Sequence, residues 1–232
     1  AQTLENNIIA ELNLLESLSA SNTKAKILII GSSDEYGNVD PKYLPVDENT
    51  PFKPSSPYAV SKIAQDMLGL QYFLSNKLNI VRVRPFNHIG PRQSEAFVIP
   101  AFAIQIANLE KKGGGVIRVG NLESWRDFTD VRDMVKAYLL VVENGITGDV
   151  YNLGSGILYK IGDILEKLLN FSKTQIKIEV DKEKVRKTDI IKIYCDYSKF
   201  EKLTGWKPQI SIEKSLFDTL EYERSQVLNL KK

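Results

Sequence analysis

From Gln2 to Ser19 the apolar residues fall three and four apart: Leu4, Ile8, Leu12, Leu15 and Leu18 make one stripe, which Ile9 and Leu14 widen. That period predicts a helix over residues 2–19. Ser21-Asn22 interrupts it, and Lys26-Ile27-Leu28-Ile29-Ile30 is a continuous apolar run of the kind found in a parallel strand covered on both faces. The run leads into Gly31-Ser32-Ser33-Asp34-Glu35-Tyr36-Gly37, a polar loop at the strand's carboxyl end, the edge where open parallel sheets bind ligands. Residues 38–56 read as loop, restricted by Pro51-Phe52-Lys53-Pro54. A second amphipathic helix starts at Tyr58 and runs to about residue 76 with Val60, Ile63, Ala64, Met67, Leu68, Leu70 and Phe73. Asn79 to Arg84 alternates apolar and polar residues and ends in a second polar strand exit, Pro85 to Arg92. Helix, strand, loop, helix, strand is the order of a doubly wound α/β fold, and it turns both strand exits toward the start of the Tyr58 helix.

The pattern changes after residue 97. Residues 98–112 read as a helix, Gly113-Gly114-Gly115 as a turn and Val116–Val119 as a short strand; Asn121 to Asp133 is polar, and Met134 to Val142 is helical. A strand and glycine turn follow over 148–156, then a helix at 161–170, a strand at 175–180 and a charged loop at 181–190. The chain closes with a capped helix from Asp196 to Leu203, the turn Gly205-Trp206-Lys207-Pro208 and a helix over 211–227. There is no internal repeat.

Composition narrows the functional classes. With 43% hydrophobic and 26% charged residues in 232, the chain reads as a soluble globular protein able to bury a core. Its 31 Lys and Arg against 29 Asp and Glu leave a formal charge of +2, without the basic block that nucleic-acid binding requires. The single cysteine, Cys195, rules out an internal disulfide and thiolate metal clusters and suits a reducing cytoplasm. The single histidine, His88, rules out paired-histidine metal sites, so no metal is expected. No apolar run approaches the roughly 18 residues needed to span a bilayer, and the first residues do not read as a signal peptide.

The candidate chemistry lies at the second helix. Tyr58 and Lys62 are four residues apart, about one turn, which puts phenol and ammonium on one face. A cation held there lowers the tyrosine pKa and turns a phenol into a proton donor or acceptor. Alone, this spacing is a common accident, and its weight comes from context. Arg126 and Arg186 are candidates for an anionic ligand, because a guanidinium can hold a diphosphate through two parallel hydrogen bonds.

Five stretches occur in one order: the Ser32 loop; Ser56-Pro57-Tyr58-Ala59-Val60-Ser61-Lys62; Arg84-Pro85-Phe86-Asn87-His88-Ile89-Gly90-Pro91-Arg92-Gln93; Gly120 to Val131 with Arg126-Asp127-Phe128-Thr129-Asp130; and Gly205-Trp206-Lys207-Pro208. In these the chain resembles the extended short-chain dehydrogenase/reductase family, in its nucleotide-sugar branch, from Asn7 to about Glu223. The resemblance implies a Rossmann-like parallel sheet with a smaller C-terminal α/β substrate domain. The catalytic domain then corresponds to residues 1–97 and the substrate domain mainly to 98–232, with about 116–156 partly returning to the first. It also implies that the family's opening strand and glycine-rich turn are absent, and that the chain is a fragment of a longer polypeptide.

Within the branch, Phe86-Asn87-His88-Ile89-Gly90-Pro91 is similar to reductases of GDP-linked 4-keto-6-deoxy sugars, which follow the GDP-mannose 4,6-dehydratases. Dehydratases carry a glutamate at position 34, where this chain has Asp34, one methylene shorter. The resemblance implies NADP or NAD as cofactor and a 4-ketone reduced at C4. In that reading Tyr58 is the general acid, Lys62 depresses its pKa and holds the nicotinamide ribose, Ser32 polarises the carbonyl, and Asn7 supports a proton relay. Pro85 and His88 line the cofactor; Ser33, Asp34, Asn87, Arg126 and Arg186 contact substrate. The helices at 2–19 and 57–76 form a homodimer contact. A dehydratase, a 4-epimerase and a non-catalytic nucleotide-sugar binding protein stand as alternatives.

Overall fold

The computed structural model describes residues 1–181, 183 and 192–229. The chain opens with α1 (Gln2–Leu4), a π-helical turn (Glu5–Ile9) and α2 (Ala10–Ala20), which succeed one another without a break. Then come β1 (Ile27–Ile30), 3-10 turns at Ser33–Glu35 and Pro41–Tyr43, α3 (Pro57–Asn76), β2 (Ile80–Pro85) and β3 (Asn87–Ile89). The later elements are α4 (Val98–Lys112), β4 (Gly115–Val119), β5 (Trp125–Asp130), α5 (Val131–Asn144), β6 (Val150–Leu153), β7 (Leu158–Lys160), α6 (Ile161–Asn170), β8 (Ile176–Val180), β9 (Lys192–Ile193), α7 (Ser198–Thr204) and α8 (Ile212–Asn229).

The sheet β1-β2-β6 is parallel throughout, with Ile27 opposite Ile80 and Arg82 opposite Val150. One face packs Ile29 and Ile80 against Leu15 of α2 and Tyr72 of α3. The other packs Val81, Val83 and Leu153 against Met134 and Val141 of α5, with Phe200 and Trp206 closing the cluster. Helices on both faces of a parallel sheet make this a Rossmann-like α/β fold. A separate core joins α4, α6 and α8 around Phe102, Ile106, Ile164, Leu168, Leu216 and Leu220, next to the parallel pair β4-β8. Between them lies the sheet built on β5, which pairs parallel with β3 and β9 and antiparallel with β7.

Three features depart from the sequence reading. The polar stretch 121–133 contains strand β5, and α5 begins at Val131, where the Asp130 side chain accepts from Arg132 N at 2.8 Å. The stretch looks like loop because its carboxylates point at buried donors instead of water; Asp127 is fully buried. β7 and β9 were too short to show a period. β2 alternates in sequence, yet all six of its residues are buried, Arg82 and Arg84 included.

Candidate active site

Each element that carries a candidate residue has a local cause. Ser56 caps α3 by accepting from Ala59 N at 3.1 Å, and Pro57 stands at the first helical position, where its missing N–H costs nothing. This fixes Tyr58 in the first turn of α3, beside the carboxyl end of β1. Ser32 caps the turn Ser33–Glu35: its Oγ accepts from Asp34 N at 3.2 Å, and its own N–H donates to Glu35 Oε1 at 2.7 Å. The start of α3 and the end of β1 come together here: the Tyr58 hydroxyl is near enough to feel the Ser32 side chain and the Asp34 and Glu35 carboxyls.

Burial raises the Tyr58 pKa above the ordinary tyrosine value, the charges of Asp34 and Glu35 raise it further, and the Ser32 side chain pulls it back. The Lys62 ammonium donates to the Ile30 carbonyl at 2.9 Å, anchored to the end of β1, and burial lowers its own pKa against the pull of Glu11 and Glu35. Tyr58 therefore keeps its proton at neutral pH. With 40% of the residue exposed, the hydroxyl is open to an incoming molecule. The bond to Ile30 uses one of the three ammonium donors, which leaves donors on Lys62 and the Tyr58 hydroxyl to meet a vicinal diol, the chemistry of a nicotinamide ribose.

Asn7 sits in the π-helical turn, and its Nδ2 donates to Ser61 Oγ at 2.9 Å, which donates to the Tyr58 carbonyl at 2.7 Å. The extra residue of a π turn re-aims one side chain, and such turns cluster at functional sites. The leucine period through residues 2–19 gave no sign of it.

At the second strand exit Pro85 is buried at the end of β2, paired with Leu153, and Phe86 leads into β3. His88 Nδ1 lies 3.2 Å from the Phe86 carbonyl, and Gln93 donates to the His88 carbonyl at 2.9 Å. Asn87 pairs with Phe128, so strand alternation puts it on the same face of the sheet as Arg126, two residues along. Arg126 Nη1 donates to the Trp125 carbonyl at 2.9 Å. Ser33 is buried and Asp34 half-buried within the Ser32 turn. Arg186 lies outside the described residues. Thus Ser32, Tyr58, Lys62, Asp34 and Asn7 gather around one strand end, with Asn87 and His88 on the following exit.

A family model described as GDP-mannose 4,6 dehydratase matches residues 1–219. The chain belongs to that family. It is 38% identical over 218 residues to the GDP-6-deoxy-D-mannose reductase of Pseudomonas aeruginosa, covering 93% of this chain and 71% of that protein. GDP-mannose 4,6 dehydratase 1 of Arabidopsis thaliana is 29% identical over 209 residues, covering 88% and 57%. The solved structure of RMD from Pseudomonas aeruginosa complexed with NADPH superposes with a TM-score of 0.91 at 36% identity, over 97% of this chain and 75% of that one. The family is thus the nucleotide-sugar one that the five motifs resemble.

A charged network that no sequence motif marks lies directly behind the Ser32 turn. Asp66 of α3 accepts from Arg82 Nη1 at 2.9 Å and from Arg84 Nε and Nη2 at 2.9 and 2.5 Å, and both guanidiniums and the carboxylate are buried. Arg84 also donates to Tyr36 Oη at 3.0 Å, which donates to Asn152 Oδ1 at 2.7 Å, and lies over the Phe52 ring at 4.6 Å. Two arginines at alternate positions of a strand were the available signal. Ionised groups on the inward face of a buried strand require buried counter-charge.

Proposed function

We propose that this chain carries the catalytic and sugar-binding parts of an NAD(P)H-dependent reductase acting on the C4 ketone of a nucleotide-linked 4-keto-6-deoxy sugar. The substrate is GDP-4-keto-6-deoxymannose and the product GDP-rhamnose. The observation that carries the reading is the gathering of Ser32, Tyr58 and Lys62 at the end of β1, with Lys62 anchored on the Ile30 carbonyl at 2.9 Å and Tyr58 40% exposed. A tyrosine that holds its proton at neutral pH is suited to give it to the oxygen that gains charge during hydride transfer. Tyr58 protonates the C4 oxygen, and the Ser32 hydroxyl stabilises the charge that develops there. Bound at this edge, the nicotinamide supplies the hydride. Lys62 holds its ribose through donors left by Ile30, with Pro85 and His88 lining the cofactor. Asn7 steadies Tyr58 through Ser61 on the relay side.

Ser33 and Asp34 face the hexose, while Asn87 contacts the substrate diphosphate, which Arg126 and Arg186 clamp. Residues 1–97 form the catalytic part and 98–232 mainly the substrate part, while the pairing of β6 with β2 supports the return of part of 116–156 to the first. The similarity to the Pseudomonas aeruginosa reductase favours the GDP-linked substrate over other nucleotide sugars.

The deciding experiment uses the complete polypeptide. NADPH or NADH is expected to be oxidised with GDP-4-keto-6-deoxymannose, and GDP-mannose is expected to give no product without added reduced cofactor. Product from GDP-mannose under that condition makes the protein a dehydratase, the reading that the family model's description favours. GDP binding without NADPH binding in calorimetry makes it a non-catalytic binding protein.

A homodimer through α2 and α3 belongs to the same proposal. Val60, Met67 and Leu74 lie seven residues apart on α3, at 46%, 36% and 55% exposure, with Ile9 and Leu14 exposed on the preceding helix. An apolar stripe at heptad spacing is built to pack against helices. Met67→Glu is expected to convert a dimer to a monomer in sedimentation at micromolar concentration; a wild-type monomer refutes the assignment. No helix among the described residues is long and apolar enough to cross a membrane. The buried free thiol of Cys195 accords with a cytoplasmic setting.

A further inference from the structure

Glu35 is fully buried, although it occupies the turn that presents Ser32. Its Oε1 takes the Ser32 N–H at 2.7 Å. The chain makes room for this carboxyl at Gly31, where a Cβ would come within 2.2 Å of Oε1. Any other residue at position 31 would displace the contact. Oε2 has no donor of its own in hydrogen-bond geometry; Arg84 Nε stands 3.3 Å from it and donates to Asp66 Oδ2 at 2.9 Å, so one guanidinium gathers the two carboxyls. Two carboxyls gathered inside a protein do not both ionise readily. Asp66 is held by both guanidiniums, so the proton resides on Glu35.

Asp66 lies on the helix that carries the proposed acid: Tyr58, Lys62 and Asp66 follow at four-residue intervals along α3. The Ser32 turn and the Tyr58 helix are therefore joined from behind, independently of any substrate.

We propose that Glu35 is a positioning residue for Ser32 and Tyr58: its carboxyl grips the Ser32 main chain with one oxygen and turns the other toward Arg84 and Asp66. The inference rests on the functional reading given above. Burial and the neighbouring Asp66 raise the Glu35 pKa to about 8, against the pull of Arg84. The groups that face it are Asp66 from α3, Arg84 from β2 with Arg82 behind Asp66, and Tyr58 and Lys62 at the start of α3, both of which feel its charge. Loss of its proton therefore sets a negative charge against Asp66 and beside Tyr58.

The test compares Glu35→Gln and Glu35→Ala with wild type and Tyr58→Phe in the complete polypeptide, following NADPH oxidation from pH 6 to 9.5. Glutamine keeps an acceptor for Ser32 but cannot ionise. Wild-type kcat is expected to fall as pH rises through about 8. Glu35→Gln is expected to keep kcat at pH 7 within about threefold and to lose that alkaline limb, while Glu35→Ala loses roughly 10–100-fold in kcat with little change in KM, the cost of a misplaced catalytic group. The glutamine variant decides the matter even where alanine fails to fold. An alkaline limb unchanged in Glu35→Gln overturns the inference, as does a wild-type kcat in Glu35→Ala. Each does so while Tyr58→Phe stays inactive; an active Tyr58→Phe overturns the functional reading instead.

Discussion

Tyr58→Phe is expected to lower turnover of the complete polypeptide by about 10²–10⁴-fold, the contribution of a positioned general acid. The substitution removes one hydroxyl from a residue that is 40% exposed, so it opens no cavity. The Ser32 side chain nearby is not orphaned, since its Oγ still accepts from Asp34 N and can turn to water. The stability change should accordingly stay within about 1 kcal/mol. Rate and stability are thus separable: NADPH oxidation should collapse while the urea midpoint stays near that of wild type. Turnover equal to wild type would remove Tyr58 from the mechanism.

Asp127→Ala is expected to produce the largest loss of stability, about 3–5 kcal/mol, since several hydrogen-bond donors lose their acceptor at about 1–3 kcal/mol each. The carboxylate is fully buried and takes four donors: Ser155 N and Oγ on Oδ1, at 2.8 and 2.5 Å, and Gly156 N and Cys195 N on Oδ2, at 2.8 and 3.0 Å. It therefore ties β5 to the glycine turn after β6 and to the chain after β9. Alanine leaves all four donors buried without an acceptor. Asparagine should fail to rescue, because either orientation of its amide sets an NH2 group against two donors. Urea unfolding with an unchanged m-value checks the expectation; a loss below about 1 kcal/mol would mean that water or a shifted loop replaces the carboxylate.

Much of the architecture was legible because its periods are long. The apolar stripe of α3, the run Ile27–Ile30 and the stripe of α4 each repeat often enough to name their element, and the order of elements then gives a doubly wound α/β fold. The strand exits and the capped start of α3 were legible too, since Ser56-Pro57 and the Ser32 turn are local signals. β5 was not. Its sequence, Trp-Arg-Asp-Phe-Thr-Asp, has the composition of a loop, and it is a buried strand only because Ser155, Gly156, Cys195 and Ser215 arrive from distant positions to satisfy its carboxylates.

The surroundings of Tyr58 were not legible for a related reason. Spacing along a helix brings Lys62 to the correct face, but it says nothing of what else the ammonium can reach. Here it reaches the Ile30 carbonyl, and the burial of Tyr58 sets the balance. The sequence alone determined most of the elements and which candidate residues they carry, because period and local turn signals act over a few residues. Only the tertiary structure decided the burial around them and the network that joins Asp66 to the two β2 arginines. Desolvation and buried charge depend on groups that meet only once the chain has folded.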